Sequence, residues 1–334
     1  MARENADQAL TDIKTVLYFF YPNPSLPEDA MKYVFIINPK AGKGKSADEI
    51  ARKIRSFFSG KNVEYHIYLS ECPGDAIRFS RDCPVLEGEK ACFVACGGDG
   101  TFFEVVNGGF ERPGVSFACY PCGSGNDFIK STGGKTSDYR DLQKLLDGST
   151  RMIDVLDCSG RICTNMCNIG LDSIICDRMN RFKKIPFVSG PMAYNLSTGV
   201  SVLGKLGIPM KLTFDDGEVY EGSLTLSAFG NGICYGGGYY PTPEAKLDDG
   251  LIDFCGIKKV ALSQVSHLIG IYKSGKHLYN EEIKPLLLYK KIKSVKIESD
   301  EELSICMDGE VYRGTELDIS VRPAALPFRV PKFD

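Results

Sequence analysis

Histidine is scarce, at three residues in 334: His66, His267 and His277. A Ser-His-Asp triad or a His-rich metal centre therefore has few candidates, and His66 falls in an alternating, strand-like run. Any general base is expected to be a carboxylate. A basic excess is also missing. The formal net charge of -3 leaves no global positive field for DNA or RNA, so no nucleic-acid partner is expected. Long apolar runs are absent too. Leu17-Tyr-Phe-Phe-Tyr21, followed by Pro22, Pro24 and Pro27, is far shorter than the roughly 20 residues a spanning helix needs. Residues 1–30 lack the basic start and apolar stretch of a signal peptide and are expected to be an N-terminal extension.

Cysteine, in contrast, is plentiful. Thirteen is an odd number, and the residues are scattered through apolar segments such as Ala91 to Cys96 and Ser116 to Cys122. Reduced, mostly buried thiols in a cytoplasmic protein fit this pattern. Cys119-Tyr-Pro-Cys122 and the pair Cys163 and Cys167 have suggestive spacing, but no second CxxC or His pair completes a zinc set.

The chain is long enough for two domains. From Met31 strand and helix alternate: Tyr33 to Ile37, Val63 to Tyr68, Ala91 to Cys96 and Val115 to Tyr120 read as strands. Between them lie a helix after the Ser46-Ala-Asp-Glu49 capping box, a short one over Asp75 to Ser80, and one whose start is marked by Thr101 and Glu104. Such alternation implies a parallel sheet with helices on its faces, the α/β half of the chain, over residues 31–150.

After residue 150 the texture becomes β-rich. Lys211 to Tyr220 reads as a hairpin through Asp216-Gly217, and Ser223 to Phe229, Leu251 to Cys255, Lys291 to Ile297, Leu303 to Met307 and Leu317 to Val321 as strands. Helices are expected over Asp172 to Phe182, Tyr194 to Leu206 and Leu262 to Tyr272. Residues 151–325 are thus expected to form a mainly antiparallel sandwich, with 326–334 as a tail.

Three glycine-rich turns follow strands of the parallel half: Asn38-Pro-Lys-Ala-Gly-Lys-Gly-Lys-Ser46, Gly97-Gly-Asp-Gly-Thr101 and Gly123-Ser-Gly-Asn-Asp127. The carboxyl ends of parallel strands share one edge, where ligands bind. The first turn ends like a Walker A loop but has Pro39 in place of the leading glycine. Bare backbone amides at Gly97, Gly98 and Gly100, ahead of a helix, make an anion cradle. Asp99 in its midst would repel a phosphate unless a divalent cation lay between them.

The order Asn38-Pro39, GGDGT with Glu104, Asn107 and Gly108 behind it, then GSGNDF, resembles the diacylglycerol kinase catalytic domain family, which includes bacterial soluble lipid kinases and sphingosine kinases. Gly170-Leu-Asp172, Asn231-Gly232 with Gly236-Gly-Gly238, Lys246-Leu-Asp-Asp-Gly-Leu251 and Met307-Asp-Gly-Glu310 continue it. The resemblance implies that ATP contacts Asn38, Gly97, Gly98, Asp99, Gly100, Thr101 and the loop Gly123, Ser124, Gly125, Asn126 and Asp127. It places Asp99 and Asp127 near the phosphates and catalytic Mg2+. It puts the catalytic base at Asp308, with Glu310 next in line. It also implies a structural magnesium held by Asp249, with Asp248 as a further ligand, and by the carbonyls of Lys246 and Leu251. Asp99→Ala or Asp308→Asn is expected to abolish phosphorylation with the fold intact.

The function expected is ATP- and magnesium-dependent phosphorylation of a membrane-lipid hydroxyl, diacylglycerol to phosphatidic acid first among the choices. An NAD kinase-like nucleotide kinase and a non-catalytic lipid-binding protein of the same fold are the alternatives. A homodimer is compatible with the family. Lys40, Lys43 and Lys45, with Arg178, Arg181, Lys183 and Lys184 ahead of Pro186-Phe-Val188, suit peripheral contact with an anionic membrane.

Overall fold

The structure, a computed structural model, describes residues 31–44, 47–182 and 206–333. The extension 1–30, the Ser46 cap, Lys45, Lys183, Lys184, Pro186 to Val188 and nearly all of the helix expected over Tyr194 to Leu206 lie outside the described residues.

Strand β1 (Met31–Ile37) is buried along almost its whole length because both faces are covered. Alternate side chains of a strand point to opposite faces, so a strand covered on both sides must be apolar throughout. Tyr33, Phe35 and Ile37 pack with Ile50, Ile54 and Phe58 of helix α1 (Ala47–Phe58). Val34 and Ile36 belong to the opposite cluster, where α2 (Asp75–Asp82) and α3 (Asp99–Gly109) contribute Ala76, Phe102, Val105 and Val106. Each such large side chain contributes about 1.5–3 kcal/mol on burial.

With β2 (Tyr65–Leu69), β3 (Lys90–Gly97) and β4 (Val115–Pro121), β1 forms parallel pairs in the order β2-β1-β3-β4. The chain leaves β1 to one side and returns to the other, so the connections diverge at β1 and β3. That divergence opens a crevice beyond the carboxyl ends of the strands. Asn38 and Gly98 stand at its mouth.

Two short helices, α4 (Thr136–Tyr139) and α5 (Leu142–Asp147), lead into the β-rich half. It comprises β5 (Ser149–Cys158), β6 (Arg161–Cys163), β7 (Met166–Gly170), helix α6 (Leu171–Phe182), β8 (Ile208–Phe214), β9 (Val219–Gly230), β10 (Ile252–Lys258), α7 (Leu262–Lys273), β11 (Leu287–Ile292), β12 (Ser294–Met307) and β13 (Glu310–Val330). Neighbours here pair antiparallel around a core that includes Leu212, Phe229, Phe254, Ile297, Ile305 and Ile319. The β8–β9 hairpin turns at Asp216-Gly217, with Gly217 at φ 85°.

Strand β13 departs from the sequence expectation. It does not stop at Val321, and residues 326–330 are strand rather than tail. It pairs with β12, then with β5 as far as Val330, and Phe328 meets Phe117 of β4 in parallel register. A single sheet therefore runs through both halves. Pro323 is tolerated because the register shifts between Arg322 and Leu326, with Ala324 at φ 47°. The strand expected over Lys291 to Ile297 is likewise two strands, broken at Lys293.

Candidate active site

Asn38 ties the first loop to the second. Its backbone N–H donates to Cys96 O at 3.0 Å, its Nδ2 donates to Thr101 Oγ1 at 3.1 Å, and its Oδ1 accepts the Lys40 N–H at 3.0 Å. The expected capping box at Thr101 and Glu104 does not form, because α3 begins earlier, behind Gly98. Thr101 serves Asn38 instead, and Glu104 Oε1 accepts the Gly74 N–H at 2.9 Å.

The glycines have a steric reason. A Cβ on Gly97 would lie 2.2 Å from Thr101 Oγ1, and one on Gly123 would lie 2.6 Å from Gly98 Cα. The second and third loops thus touch backbone to backbone, joined by the Cys122 N–H donating to Gly97 O at 2.7 Å. In the third loop Asn126, at φ 48°, accepts the Gly123 N–H at Oδ1 and returns a hydrogen bond from Nδ2 to Gly123 O.

These loops wall a cleft of about 400 Å³, lined by Asn38, Lys40, Gly98, Gly100, Thr101, Gly123 and Ser124, by Glu71 and Cys72 after β2, and by Glu104 and Glu310. The α3 N-terminus opens onto it, a place where amides and dipole favour an anion. Glu71 and Cys72 escaped the sequence reading. They follow a strand without glycines, and only their place at the carboxyl end of β2 points to them.

Asp99 and Asp127 are not among the residues lining this cleft. Asp99 Oδ1 accepts the backbone N–H of Asp127 at 2.8 Å and of Phe128 at 3.3 Å, fastening the third loop. Burial, then the neighbouring Asp127, push its carboxyl up to about 6. Asp127 pairs with Lys130 Nζ at 2.6 Å and accepts the Gly237 N–H at 2.8 Å. Gly237 belongs to the β-rich half, so Asp127 links the two halves.

Asp308 and Gly309 form the tight turn between β12 and β13, at φ 48° and 96°, the positive values of a type I′ hairpin. The two carboxylates beside this turn face opposite ways. Asp308 is buried and accepts five hydrogen bonds: at Oδ1 from Asn165 N–H, Met166 N–H and the Cys163 thiol, and at Oδ2 from the Thr164 N–H and hydroxyl. Glu310 is exposed and reaches over the glycine loop, its Oε1 3.3 Å from where a Cβ on Gly100 would stand. Desolvation by the cleft walls, then Glu104, hold its carboxyl above the usual range.

In the segment expected to hold structural magnesium, Asp249 is already engaged. Its Oδ1 accepts the Leu251 N–H at 3.2 Å and its Oδ2 accepts Lys291 Nζ at 3.0 Å, while Asp248 is exposed. An ammonium seated on the carboxylate does not fit a divalent ion there. Among the described residues no three His, Cys, Asp or Glu side chains converge as a metal-binding group. The cysteines are free thiols and mostly buried, so they act as packing groups. No described helix is long and apolar enough to cross a membrane.

Residues 32–158 match the diacylglycerol kinase catalytic domain family, and residues 165–330 match the YegS C-terminal NAD kinase beta sandwich-like domain. The diacylglycerol kinase of Staphylococcus saprophyticus is 27% identical over 281 residues, 82% of this chain and 87% of that one. That of Staphylococcus epidermidis is 29% identical over 250 residues, 74% of this chain and 76% of that one. The solved structure of a provisionally named diacylglycerol kinase from Bacillus anthracis str. Sterne superimposes with a TM-score of 0.68 at 27% identity, over 89% of this chain and 96% of that chain. Residues 32–158 therefore belong to the diacylglycerol kinase catalytic domain family and residues 165–330 to the YegS C-terminal family, and the chain that joins these two domains is a kinase.

Proposed function

We propose that this chain is an ATP-dependent lipid kinase that phosphorylates a hydroxyl of a membrane lipid, diacylglycerol to phosphatidic acid, with Glu310 as general base and Asp308 as a positioning residue. The observation that carries the assignment is the placement of Glu310, from the β-rich half, over Gly100 of the glycine loop in the parallel half. A nucleotide phosphate at the α3 N-terminus and an acceptor hydroxyl at Glu310 would then meet in one cleft. The family matches and the named relatives support the same reading.

The amides of the glycine loops would bind the phosphates, and Asn38 would keep the first two loops in register. The lipid hydroxyl oxygen forms the new bond to the γ-phosphorus as the bond to the β,γ-bridging oxygen breaks, and the hydroxyl proton passes to Glu310. Its raised carboxyl makes it a better proton acceptor than an ordinary surface glutamate. Glu104 and Glu310 face the same cleft, and their mutual repulsion fits a divalent cation carried on the nucleotide. Facing that cation, Glu104 and Glu310 would help to hold it, and it would supply charge neutralisation at the transferring group.

Asp308 determines where Glu310 stands. By collecting the N–H groups of residues 164–166 it fixes the turn against β7, and the hairpin register then aims Glu310 at the cleft. Elsewhere in the β-rich half, α7 and β9–β10 border an apolar cavity of about 40 Å³ lined by Leu226, Val265, Leu268 and Ile269. This is a seam an acyl chain could widen rather than a preformed tunnel. Peripheral contact with an anionic bilayer through Lys40 and the basic stretch after α6 belongs to the same proposal.

Labelled ATP offered with a lipid extract, with pure diacylglycerol and with NAD tests the assignment. Labelled phosphatidic acid is expected. Label on NAD alone, or none on any lipid, would overturn it.

A further inference from the structure

Lys291 stands where the family resemblance calls for a metal. We propose that this chain holds its Lys246–Leu251 segment with an internal ammonium in place of an exchangeable divalent cation.

Strands β10 and β11 pair with Asp253 directly opposite Lys291, so the register itself brings the two together. Lys291 Nζ lies 2.9 Å from Asp253 Oδ2 and 3.0 Å from Asp249 Oδ2. Tyr289, on the same strand face as Lys291, donates its hydroxyl to Asp253 Oδ1. The remaining oxygen, Asp249 Oδ1, takes the Leu251 N–H. All four carboxylate oxygens therefore have a donor. Asp253 is fully buried, and a buried carboxylate is strongly unfavourable without a cation beside it. An ammonium with three donors satisfies that demand while still reaching water along its stem. A magnesium ion bound to Asp249 would sit against this like charge.

The segment so held is a junction. Asp154 of β5 donates its N–H to Leu247 O at 2.6 Å and accepts the Gly250 N–H at 2.7 Å, while its other oxygen accepts the Ala324 N–H at 2.7 Å. Ala324 lies at the bulge where β13 passes from the β-rich half toward β4. Lys291 thus fastens the β10–β11 edge to the strand shared by both halves. The placement of those halves is independent of free magnesium, which is left to act with the nucleotide alone.

The test uses the whole chain, stripped of metal and free of nucleotide, heated in EDTA and in millimolar MgCl2. For the wild type, the unfolding midpoint is expected to be the same in both, and elemental analysis after desalting to find no stoichiometric magnesium. Lys291→Met is expected to lower the midpoint in EDTA by several degrees and to make it rise with magnesium. Adding Asp249→Asn should remove that rise. Lys291→Arg is expected to stay close to wild type and insensitive to magnesium. Three results would overturn the proposal: magnesium stabilising the wild type in a way Asp249→Asn abolishes, Lys291→Met matching the wild type in EDTA, or a destabilised Lys291→Met that magnesium does not restore. Should Lys291→Met fail to fold, the wild-type midpoints and metal content decide the question.

Discussion

Exchanging Asp308 for Asn puts an NH2 group into a pocket built of donors. The least harmful orientation places the new nitrogen at the Oδ2 position, because the Thr164 hydroxyl there can turn round and accept from it. The Thr164 N–H, 2.7 Å away, cannot. Orphaning that buried N–H costs about 1–3 kcal/mol, and the surviving bonds at Oδ1 fall from charged to neutral strength, about 1 kcal/mol each. The total, about 4–6 kcal/mol with the three bonds at Oδ1 counted, is a large share of the 5–15 kcal/mol typical of a folded domain. It corresponds to a fall of about 10 °C in unfolding midpoint. Glu310→Gln changes an exposed side chain by one atom type, so its midpoint should move by less than about 0.5 kcal/mol in stability terms. Removing a general base, however, lowers kcat by about 10²- to 10⁴-fold. Thermal unfolding of both variants, beside ATP-dependent phosphorylation at saturating lipid, separates the two roles. An Asp308→Asn protein that unfolds within about 2 °C of wild type would refute the anchoring role. A fully active Glu310→Gln would remove the base.

Two further substitutions probe the loops and the buried charge of α6. Gly123→Ala drives a Cβ to 2.6 Å from Gly98 Cα, a backbone atom that cannot rotate aside, so the cradle must open. Its KM for ATP is expected to rise about tenfold or more, and an unchanged KM would show that the loop contact is dispensable. Asp172 accepts the Ser173 N–H and the Tyr235 hydroxyl, and burial raises its carboxyl to about 7, against about 4 in an unfolded chain. The folded state therefore holds this proton more tightly, and the stability it contributes is complete below about pH 4 and lost as pH rises through 7, up to about 4 kcal/mol. Asp172→Asn should be the more stable protein at pH 8, with the gap closing toward pH 5. Urea midpoints separated by the same amount at both pH values would count against it.

The parallel half is legible in sequence because a strand covered on both faces admits only apolar residues, and Val34 to Ile37 and Cys92 to Cys96 leave no other reading. The glycine loops are legible for a related reason: Gly98 and Gly123 are required where two backbones touch, whether or not a phosphate is present. What the letters do not disclose is direction. Asp99 reads as a metal ligand beside a phosphate cradle, yet its carboxylate faces the amides of Asp127 and Phe128, residues brought near only when β3 and β4 pair. Lys291 carries no local signal at all, since its partner Asp249 is 42 residues distant and the contact exists only through the β10–β11 register. The length of β13 is hidden by Pro323 and Pro327, the first lying where the register shifts and the second opposite Met152 of β5. The DGE turn shows the limit most clearly. A type I′ turn places Asp308 at its first corner and Glu310 at the start of the next strand, so the motif sets one carboxylate in the turn and one just after it. Which of them faces the cleft depends on what waits inside, and here it is the row of N–H groups at residues 164–166 that claims Asp308, while Glu310 lines the cleft beside Gly100.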